Sequence, residues 1–149
     1  HNMKKKVLIF IFVIILLTGC SNSNKFYLDK KYYNEGNFMP TTATTINELK
    51  DKKESFIVYT YNSFCSFPIP CEDIFSKVLK KYKIDIYSLN FEEMKNTFIH
   101  EEVKFAPSII IIENGQIVAY LDAESDADYE IYQDENKFDI WLNNYIYLS

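Results

Sequence analysis

The sequence predicts a single α/β domain in which helices flank a central mixed sheet. Segments rich in β-branched and aromatic residues alternate with segments of helical period, which indicates a parallel βαβ unit. Two apolar runs then flank Asn114-Gly115, the strongest short signal for an antiparallel hairpin. A C-terminal helix completes the order βαβαββα that is predicted from residue 56 onward. The length of 149 residues allows one compact domain with a single core.

The first half of the predicted domain contains three strands and two helices. An edge strand is expected near residues 37–41, where Pro40 is best tolerated at an edge. Thr45 and Glu48 have the spacing of a capping box and predict a short helix. A buried strand follows over residues 56–61. Helical period then begins at Cys71, and residues 84–90 form the next strand.

The second half is predicted to contain a weaker helix, the hairpin and the last helix. The weaker helix spans residues 91–100, and the hairpin lies within residues 107–121. The acidic run over residues 122–135 could offer oxygen ligands to calcium, but it lacks the EF-hand spacing, so a solvated loop is expected. Apolar residues on one stripe predict a helix over residues 134–147.

A basic and then apolar segment opens the chain. Three lysines at positions 4–6 precede an unbroken apolar run over residues 7–17. This run is shorter than the ~20 residues that cross a bilayer as a helix, and it is typical of a signal peptide. The sequence Leu-Thr-Gly-Cys at residues 17–20 resembles the bacterial lipobox, in which the cysteine is acylated and becomes the mature N-terminus.

This resemblance divides the chain into three parts. We expect a lipoprotein signal peptide over residues 3–19, a lipidated Cys20 with a flexible tether over residues 20–25, and one domain over residues 26–149. The alternative is a signal anchor that merely contains a cysteine. The lipid on Cys20 implies a bacterial cell membrane as partner and location, with the domain at its extracytoplasmic face.

The charge of the chain argues against a nucleic-acid partner. The formal net charge is -5, there is no arginine, and removing the segment before Cys20 takes away three lysines and no acid. Phosphate-rich partners require basic stripes, so nucleic acid is not expected. Metal sites need several Cys or His ligands at suitable spacing, and they are missing, so neither a metal nor another cofactor is expected. His100 is interpreted as a solvated or helix-end histidine.

Two cysteines remain if Cys20 carries lipid. Cys65 and Cys71 enclose five residues, including Pro68 and Pro70, which restrict the loop to few shapes. Outside the cytoplasm, thiols that can meet tend to be oxidised. A disulfide between them would stabilise the domain by roughly 2 kcal/mol through loop closure. The pair is therefore either a redox pair or a structural staple.

The order of the predicted strands and helices, and the cysteines, proline and turn at their ends, resemble the thioredoxin family. A hydrophobic strand runs into Phe64-Cys65, Cys71 begins an amphipathic helix, and residues 105–123 contain a proline followed by a hairpin. The chain resembles this family most clearly over residues 55–148, and it is also similar to membrane-tethered redox and bacteriocin-accessory proteins. The resemblance implies a thioredoxin-like fold, with the sheet and helices described above.

The resemblance also implies roles for site residues. Cys65 would be the attacking cysteine and Cys71 the resolving one, while Pro107 would be a cis-proline facing them. Phe64, Ala106 and Pro107 would contact the extended chain of a partner protein. Otherwise Pro107 is an ordinary trans proline opening a strand.

The chain departs from the family at the cysteines. Five residues separate Cys65 from Cys71 where thioredoxins have two, and Tyr59 stands where the family often has a buried carboxylate. At the helix start, Glu72 and Asp73 oppose a thiolate that the helix dipole would favour, so the sequence does not rank the two sulfurs.

The apolar residues near the pair also leave two interpretations open. Phe64, Phe67 and Ile69 are either a docking face for a partner's extended chain or a cap on the core near the strand end.

Two functions follow. The first is a lipid-anchored protein that exchanges thiols and disulfides with exported proteins or a membrane redox partner through Cys65 and Cys71. The second is a non-catalytic binding or accessory module in which Cys65 and Cys71 form a structural disulfide. Whether the protein is an oxidoreductase depends on that choice.

Overall fold

A five-stranded mixed sheet forms the centre of the protein, which confirms the predicted fold class. The computed structural model describes residues 24–63 and 67–149, so Cys20, Phe64 and Cys65 lie outside the described residues. Within them the sheet order is β1-β3-β2-β4-β5. The strands are β1 (Phe38–Pro40), β2 (Phe56–Tyr61), β3 (Ile86–Asn90), β4 (Ser108–Glu113) and β5 (Gln116–Tyr120).

Helices cover both faces of the sheet. They are α1 (Ala43–Asp51), α2 (Cys71–Tyr82), α3 (Phe91–Met94), α4 (Asp126–Gln133) and α5 (Glu135–Asn143), with 3-10 turns at Lys30–Tyr32 and Phe98–Glu101. The helices α2, α4 and α5 pack against one another, whereas α1 bonds to the segment after α3 through the Asn47 side chain. Among the described residues, no helix has the length and apolar character needed to cross a membrane.

Strand β2 determines where the site forms. It runs parallel to β3 and antiparallel to β4, with Thr60 opposite Ser108. Consequently the chain leaves β2 at the same end of the sheet at which it enters β4. The four isoleucines of β4, residues 109–112, are fully buried and anchor this pairing in the core.

Two helix predictions were wrong at their boundaries. Helix α1 begins earlier than the predicted capping box, because the Thr42 side chain accepts a hydrogen bond from the Thr45 amide. The weaker helix predicted over residues 91–100 divides into α3 and a 3-10 turn, since Thr97 caps a new start there.

The acidic run was also assigned wrongly. Most of it forms α4, which the Ser125 side chain caps by accepting from the Asp128 amide. The last helix is therefore α5 alone, which starts after Asp134 and ends at Asn143. Burial of Tyr132 on α4 stabilises this otherwise polar helix.

The predicted hairpin is confirmed in position and turn. Asn114 and Gly115 have φ of 51° and 78°, the left-handed geometry of a two-residue hairpin turn. A Cβ on Gly115 would lie 2.6 Å from the Lys50 carbonyl oxygen, so the turn also packs closely on the end of α1. Glycine is required there for both reasons.

A buried carboxylate closes the loop between the first 3-10 turn and β1. Asp85 is 4% exposed and accepts hydrogen bonds from the amides of Gly36 and Asn37, both at 2.8 Å. Burial alone would raise the pKa of Asp85. The backbone amides of Asn37, Glu35 and Gly36, together with the Asn34 side chain, outweigh it and hold that pKa below its usual value.

Replacing Asp85 by Asn should destabilise the fold by about 1–3 kcal/mol near neutral pH, because hydrogen bonds to a charged acceptor are lost. The lowered pKa of Asp85 means that its contribution is complete above the unfolded value near 4 and is lost as pH falls through the folded pKa. Urea unfolding across pH 3–7 would measure this. The exposed Asp51→Asn is the control, and an equal effect of both variants would contradict the assignment.

Candidate functional site

Cys71 lies at the start of α2 and is almost completely buried. It is the first residue of the helix and is 2% exposed. Pro70 precedes it at the N-cap and provides no side-chain cap, while Glu72 and Asp73 occupy the first turn. The sulfur therefore lies at a helix N-terminus, where free amides favour a thiolate and two adjacent carboxylates oppose it.

The hydroxyl of Tyr59 lies beside this sulfur. The Tyr59 oxygen is 4.0 Å from Sγ of Cys71, within hydrogen-bond reach for sulfur. Tyr59 is on β2, is buried, and packs edge-on against Phe75 of α2. A neutral, buried phenol thus occupies the position where the sequence departs from the thioredoxin pattern. Unlike a carboxylate, it can donate a hydrogen bond to sulfur without adding negative charge.

The Ala106–Pro107 peptide bond is cis, as predicted. Pro107 is buried and Ala106 is partly exposed just before β4 begins. Asn62, which follows β2, donates from its side-chain amide to the Ala106 carbonyl at 3.2 Å. This bond joins the chain leaving β2 to the residue before the cis-proline.

Tyr132 of α4 connects the parts of the site. Its hydroxyl donates to the Pro107 carbonyl at 2.6 Å, and its ring stacks on Phe67 with centroids 4.8 Å apart. Burial raises the pKa of Tyr132 far above its usual value, and negative charge on Cys71 or Asp128 nearby raises it further. The hydroxyl therefore stays protonated and remains a donor to Pro107.

The loop before Cys71 is held by the end of α4. The side-chain oxygen of Gln133 accepts from the Ile69 amide at 3.0 Å, and its nitrogen donates to the Ile69 carbonyl at 2.9 Å. This paired contact reproduces the bonding of one strand residue to another. It fixes the backbone of Ile69 two residues before the helix begins.

The predicted site residues have different outcomes. Cys71, Ala106 and Pro107 lie at one end of the sheet, where their partners are Tyr59, Asn62 and Tyr132 respectively. Cys65 and Phe64 are outside the described residues. Their functional roles remain predictions.

The apolar loop residues divide between the two interpretations. Phe67 packs on Tyr132 and Tyr129, which supports the core-capping interpretation for that residue. Ile69 is 46% exposed and remains available for docking.

The surface around the site is acidic and contains a small cavity. Glu72 and Asp73 border Cys71, and Asp122 and Asp128 lie close enough to Tyr132 to influence its pKa. The cavity, about 140 Å³, is lined by residues 102–105 just before the cis peptide and by Tyr120 and Asp122. It provides a recess next to the backbone that precedes the cis peptide.

The sequence did not identify three residues that build the site: Asn62, Tyr132 and Gln133. Two of them belong to α4, which was interpreted as loop. A signal existed, because Ser125 and Asp128 have the spacing of a helix start and Tyr132 lies one turn further on. The contacts of Gln133 with Ile69 cross 64 positions and have no local signature.

Replacing Tyr132 by Phe should reduce stability by about 1–3 kcal/mol, because the buried Pro107 carbonyl loses its donor. Urea unfolding would measure the change. Tyr129→Phe is the matched control, since Tyr129 contacts the same Phe67 ring and is 45% exposed. If both variants kept wild-type stability, the hydrogen bond from Tyr132 to Pro107 would not contribute to the stability of the fold.

Several solved structures of known proteins are similar to this chain. A point mutant of thioredoxin from Entamoeba histolytica matches with a TM-score of 0.50 at 9% identity, covering 65% of this chain and 97% of that one. Thioredoxin f2 of Chlamydomonas reinhardtii gives 0.45 at 17% identity, covering 65% and 95%. A mutant thioredoxin from Halobacterium salinarum gives 0.47 at 10% identity, covering 67% and 88%. The comparison with curated proteins gave no match.

The family comparison covers more than half of the chain. The model of the family described as Thioredoxin matches residues 38–133, which include β1 to β5, Cys71, the cis-proline and α4. The chain belongs to the thioredoxin family.

Proposed function

We propose that this protein is a lipid-anchored thiol–disulfide exchange protein at the extracytoplasmic face of a bacterial cell membrane. One observation carries the redox part of the proposal. The buried sulfur of Cys71 lies at a helix N-terminus beside a buried hydroxyl, and Tyr132, which packs on Phe75 of the same helix, donates to the carbonyl of the cis-proline Pro107. The lipobox-like sequence ending at Cys20 supports the location.

The reaction is a pair of sulfur displacements. The Cys65 thiolate attacks a disulfide of the partner, so that a mixed disulfide forms and one partner thiolate leaves. The Cys71 thiolate then attacks the Cys65 sulfur and releases the second partner thiolate. Two electrons pass to the partner, and Cys65 and Cys71 end as a disulfide. Run in reverse, the same steps oxidise a partner dithiol.

The backbone before Pro107 supplies a place for the partner. An extended segment can pair with the backbone there by main-chain hydrogen bonds, with side chains entering adjacent recesses. Ala106 is partly exposed, and Phe105 is 48% exposed next to the small cavity. The Asn62 amide uses one lone pair of the Ala106 carbonyl and leaves the other for a partner amide.

The non-catalytic module remains the second candidate, and specific contacts favour it. Gln133 bonds both backbone groups of Ile69, and Phe67 stacks on Tyr132, so the segment before Cys71 is packed on α4. A loop packed in this way is compatible with a structural Cys65–Cys71 disulfide that holds a binding surface in place. The two candidates predict different reduction potentials and different consequences of losing the cysteines.

The reduction potential of the Cys65–Cys71 pair should be above about -250 mV if the pair exchanges with partners. Equilibration of the protein in glutathione or dithiothreitol buffers, followed by thiol alkylation and mass measurement, gives this value. A value below about -300 mV indicates a structural bond and favours the binding module.

Trapping in cells tests the assigned roles. Cys71→Ser should accumulate a mixed disulfide between Cys65 and its partner, because the resolving sulfur is gone. Cys65→Ser is the matched control and should trap little, since it lacks the attacking sulfur. If neither variant yielded a trapped partner and both retained function, the exchange proposal would be wrong.

Replacing Tyr59 by Phe should lower the reduction potential by about 10–20 mV, corresponding to roughly 0.5–1 kcal/mol for a weak hydrogen bond. Loss of the hydroxyl removes a donor that stabilises the Cys71 thiolate, which makes the reduced form less favourable. Tyr61→Phe, on the same strand and 38% exposed, is the control. A rise in potential, or equal shifts in both variants, would contradict this role.

A further inference from the structure

The two ends of the domain are far apart and differ in composition. Cys71 starts α2 and Tyr82 ends it, and the 12 residues of this helix span about 18 Å. Beyond its end, Ile84 forms a bridge with Tyr33. We call the end that contains Cys71 and Pro107 the site end, and the end at which β2 begins and α2 finishes the tether end.

An exposed aromatic cluster lies at the tether end. The rings of Tyr27 and Tyr147 stack with centroids 4.5 Å apart and are 59% and 41% exposed. The hydroxyl of Tyr33 donates to the Tyr147 carbonyl at 2.7 Å, which fixes the cluster next to the end of α2. Lys25 lies over the Tyr147 ring at 5.5 Å. Tyrosines with a polar tip and an apolar ring favour the interfacial zone of a bilayer.

Lysines are concentrated around this cluster. Thirteen of the sixteen lysines follow residue 24, and nine of them lie on segments that meet at the tether end. These nine are Lys25, Lys30, Lys31, Lys50, Lys52, Lys53, Lys80, Lys81 and Lys83. Eight acids lie on or contact those segments: Asp29, Glu35, Glu48, Asp51, Glu54, Asp85, Glu113 and Asp139, the last paired with Lys81. Of these, Glu54 is paired with Lys31, and Asp85 is bound by backbone amides.

The site end has the opposite charge. Glu72, Asp73, Asp122, Glu124 and Asp126 lie near Cys71 or the cis-proline, so acids outnumber lysines there, although Lys104 lies three residues before Pro107. The domain is therefore electrically polarised along its length. An anionic surface would attract the tether end and repel the site end.

The chain outside the described residues enters at the tether end. Phe26 donates from its amide to Tyr145 and accepts from the Tyr147 amide, so residue 25 lies beside the aromatic cluster. From Cys20 to Lys25 the chain can extend at most about 18 Å. A lipid on Cys20 would therefore hold this end of the domain nearest to the bilayer.

We infer that the tether end is a bilayer-contacting surface for anionic lipid headgroups, and that it orients the Cys71 and cis-proline site away from the membrane. Tyr27 and Tyr147 enter the headgroup zone, and the surrounding lysines contact lipid phosphates. The inference rests on the proposed lipid anchor at Cys20. It adds that the anchored domain has one preferred orientation, suited to partners that arrive from the extracytoplasmic side.

Tryptophan quenching can test this orientation because Trp141 is the only tryptophan in the chain. In a Trp141→Phe background, Tyr27→Trp places a reporter at the tether end, and Tyr129→Trp places a matched one at the site end. The full chain, purified from membranes, is reconstituted in phosphatidylglycerol and phosphatidylcholine vesicles that contain headgroup nitroxide. We expect the reporter at residue 27 to be quenched at least about twofold more strongly, since it lies in the headgroup zone.

A charge test separates specific contact from net charge. Lys30, Lys52 and Lys80, each changed to Gln, should reduce the quenching difference between the two reporters, because each lysine near an anionic surface adds attraction. The control changes Lys77, Lys95 and Lys104 to Gln and alters the net charge equally at other places. Equal losses in both triple variants would overturn the role of the basic end.

Fatty-acid labelling in the producing cells keeps the two proposals distinguishable. Two results together support both the lipid anchor and the orientation. The wild-type protein carries the label and Cys20→Ser does not, and the reporter at residue 27 is quenched more strongly. Label with equal quenching of the two reporters, or stronger quenching at residue 129, overturns the orientation and leaves the anchor intact. Absence of label overturns the anchor and, with it, the orientation.

Discussion

The pairing of β2 with β4 is the constraint on which the site depends. Because the two strands are antiparallel, with Thr60 opposite Ser108, Asn62 leaves the sheet where Pro107 enters it. The four consecutive isoleucines of β4 are fully buried, two on each face of the sheet, and they hold this pairing in the core. The parallel pairing of β2 with β3 then leaves room on the sheet for α2, which begins at Cys71. Core packing therefore places Cys71 beside Tyr59 of β2 and the cis peptide within reach of Tyr132 and Asn62.

The chemistry at Cys71 depends on how three local influences combine. The helix N-terminus favours a thiolate, burial opposes it, and the carboxylates of Glu72 and Asp73 oppose it as well. These carboxylates are exposed, so solvent weakens their effect on the buried sulfur. The hydroxyl of Tyr59 lies within the protein at 4.0 Å, where its dipole is less screened. A phenol at this position thus supports a buried sulfur without adding a second negative charge.

The parts of the fold with local signals could be predicted from the sequence, whereas those set by distant contacts could not. Strand β2, the start of α2 and the Asn114-Gly115 turn depend on composition, periodicity and a turn dipeptide, and the structure has them where the sequence placed them. Helix α4 looks like a solvated loop by composition, and it is stabilised by Tyr132 reaching Pro107 across 25 positions. The same is true of the site. Cys71 and Pro107 match the family pattern in the sequence, whereas the role of Tyr132 is evident only from its contacts in the folded protein.

The polarity of the domain follows from the same topology that builds the site. In a βαβ unit the strands and helices run in opposite directions, so one end collects strand ends and helix starts. Acidic residues are favourable at helix starts and lysines at helix ends, as in α2 with Glu72 and Asp73 first and Lys80 and Lys81 last. Helix α1 likewise ends with Lys50, whereas α3, α4 and α5 begin with acidic first turns and have no lysine in their last turns. In the orientation that we propose, the charge pattern that stabilises α2 would also direct the domain relative to an anionic membrane.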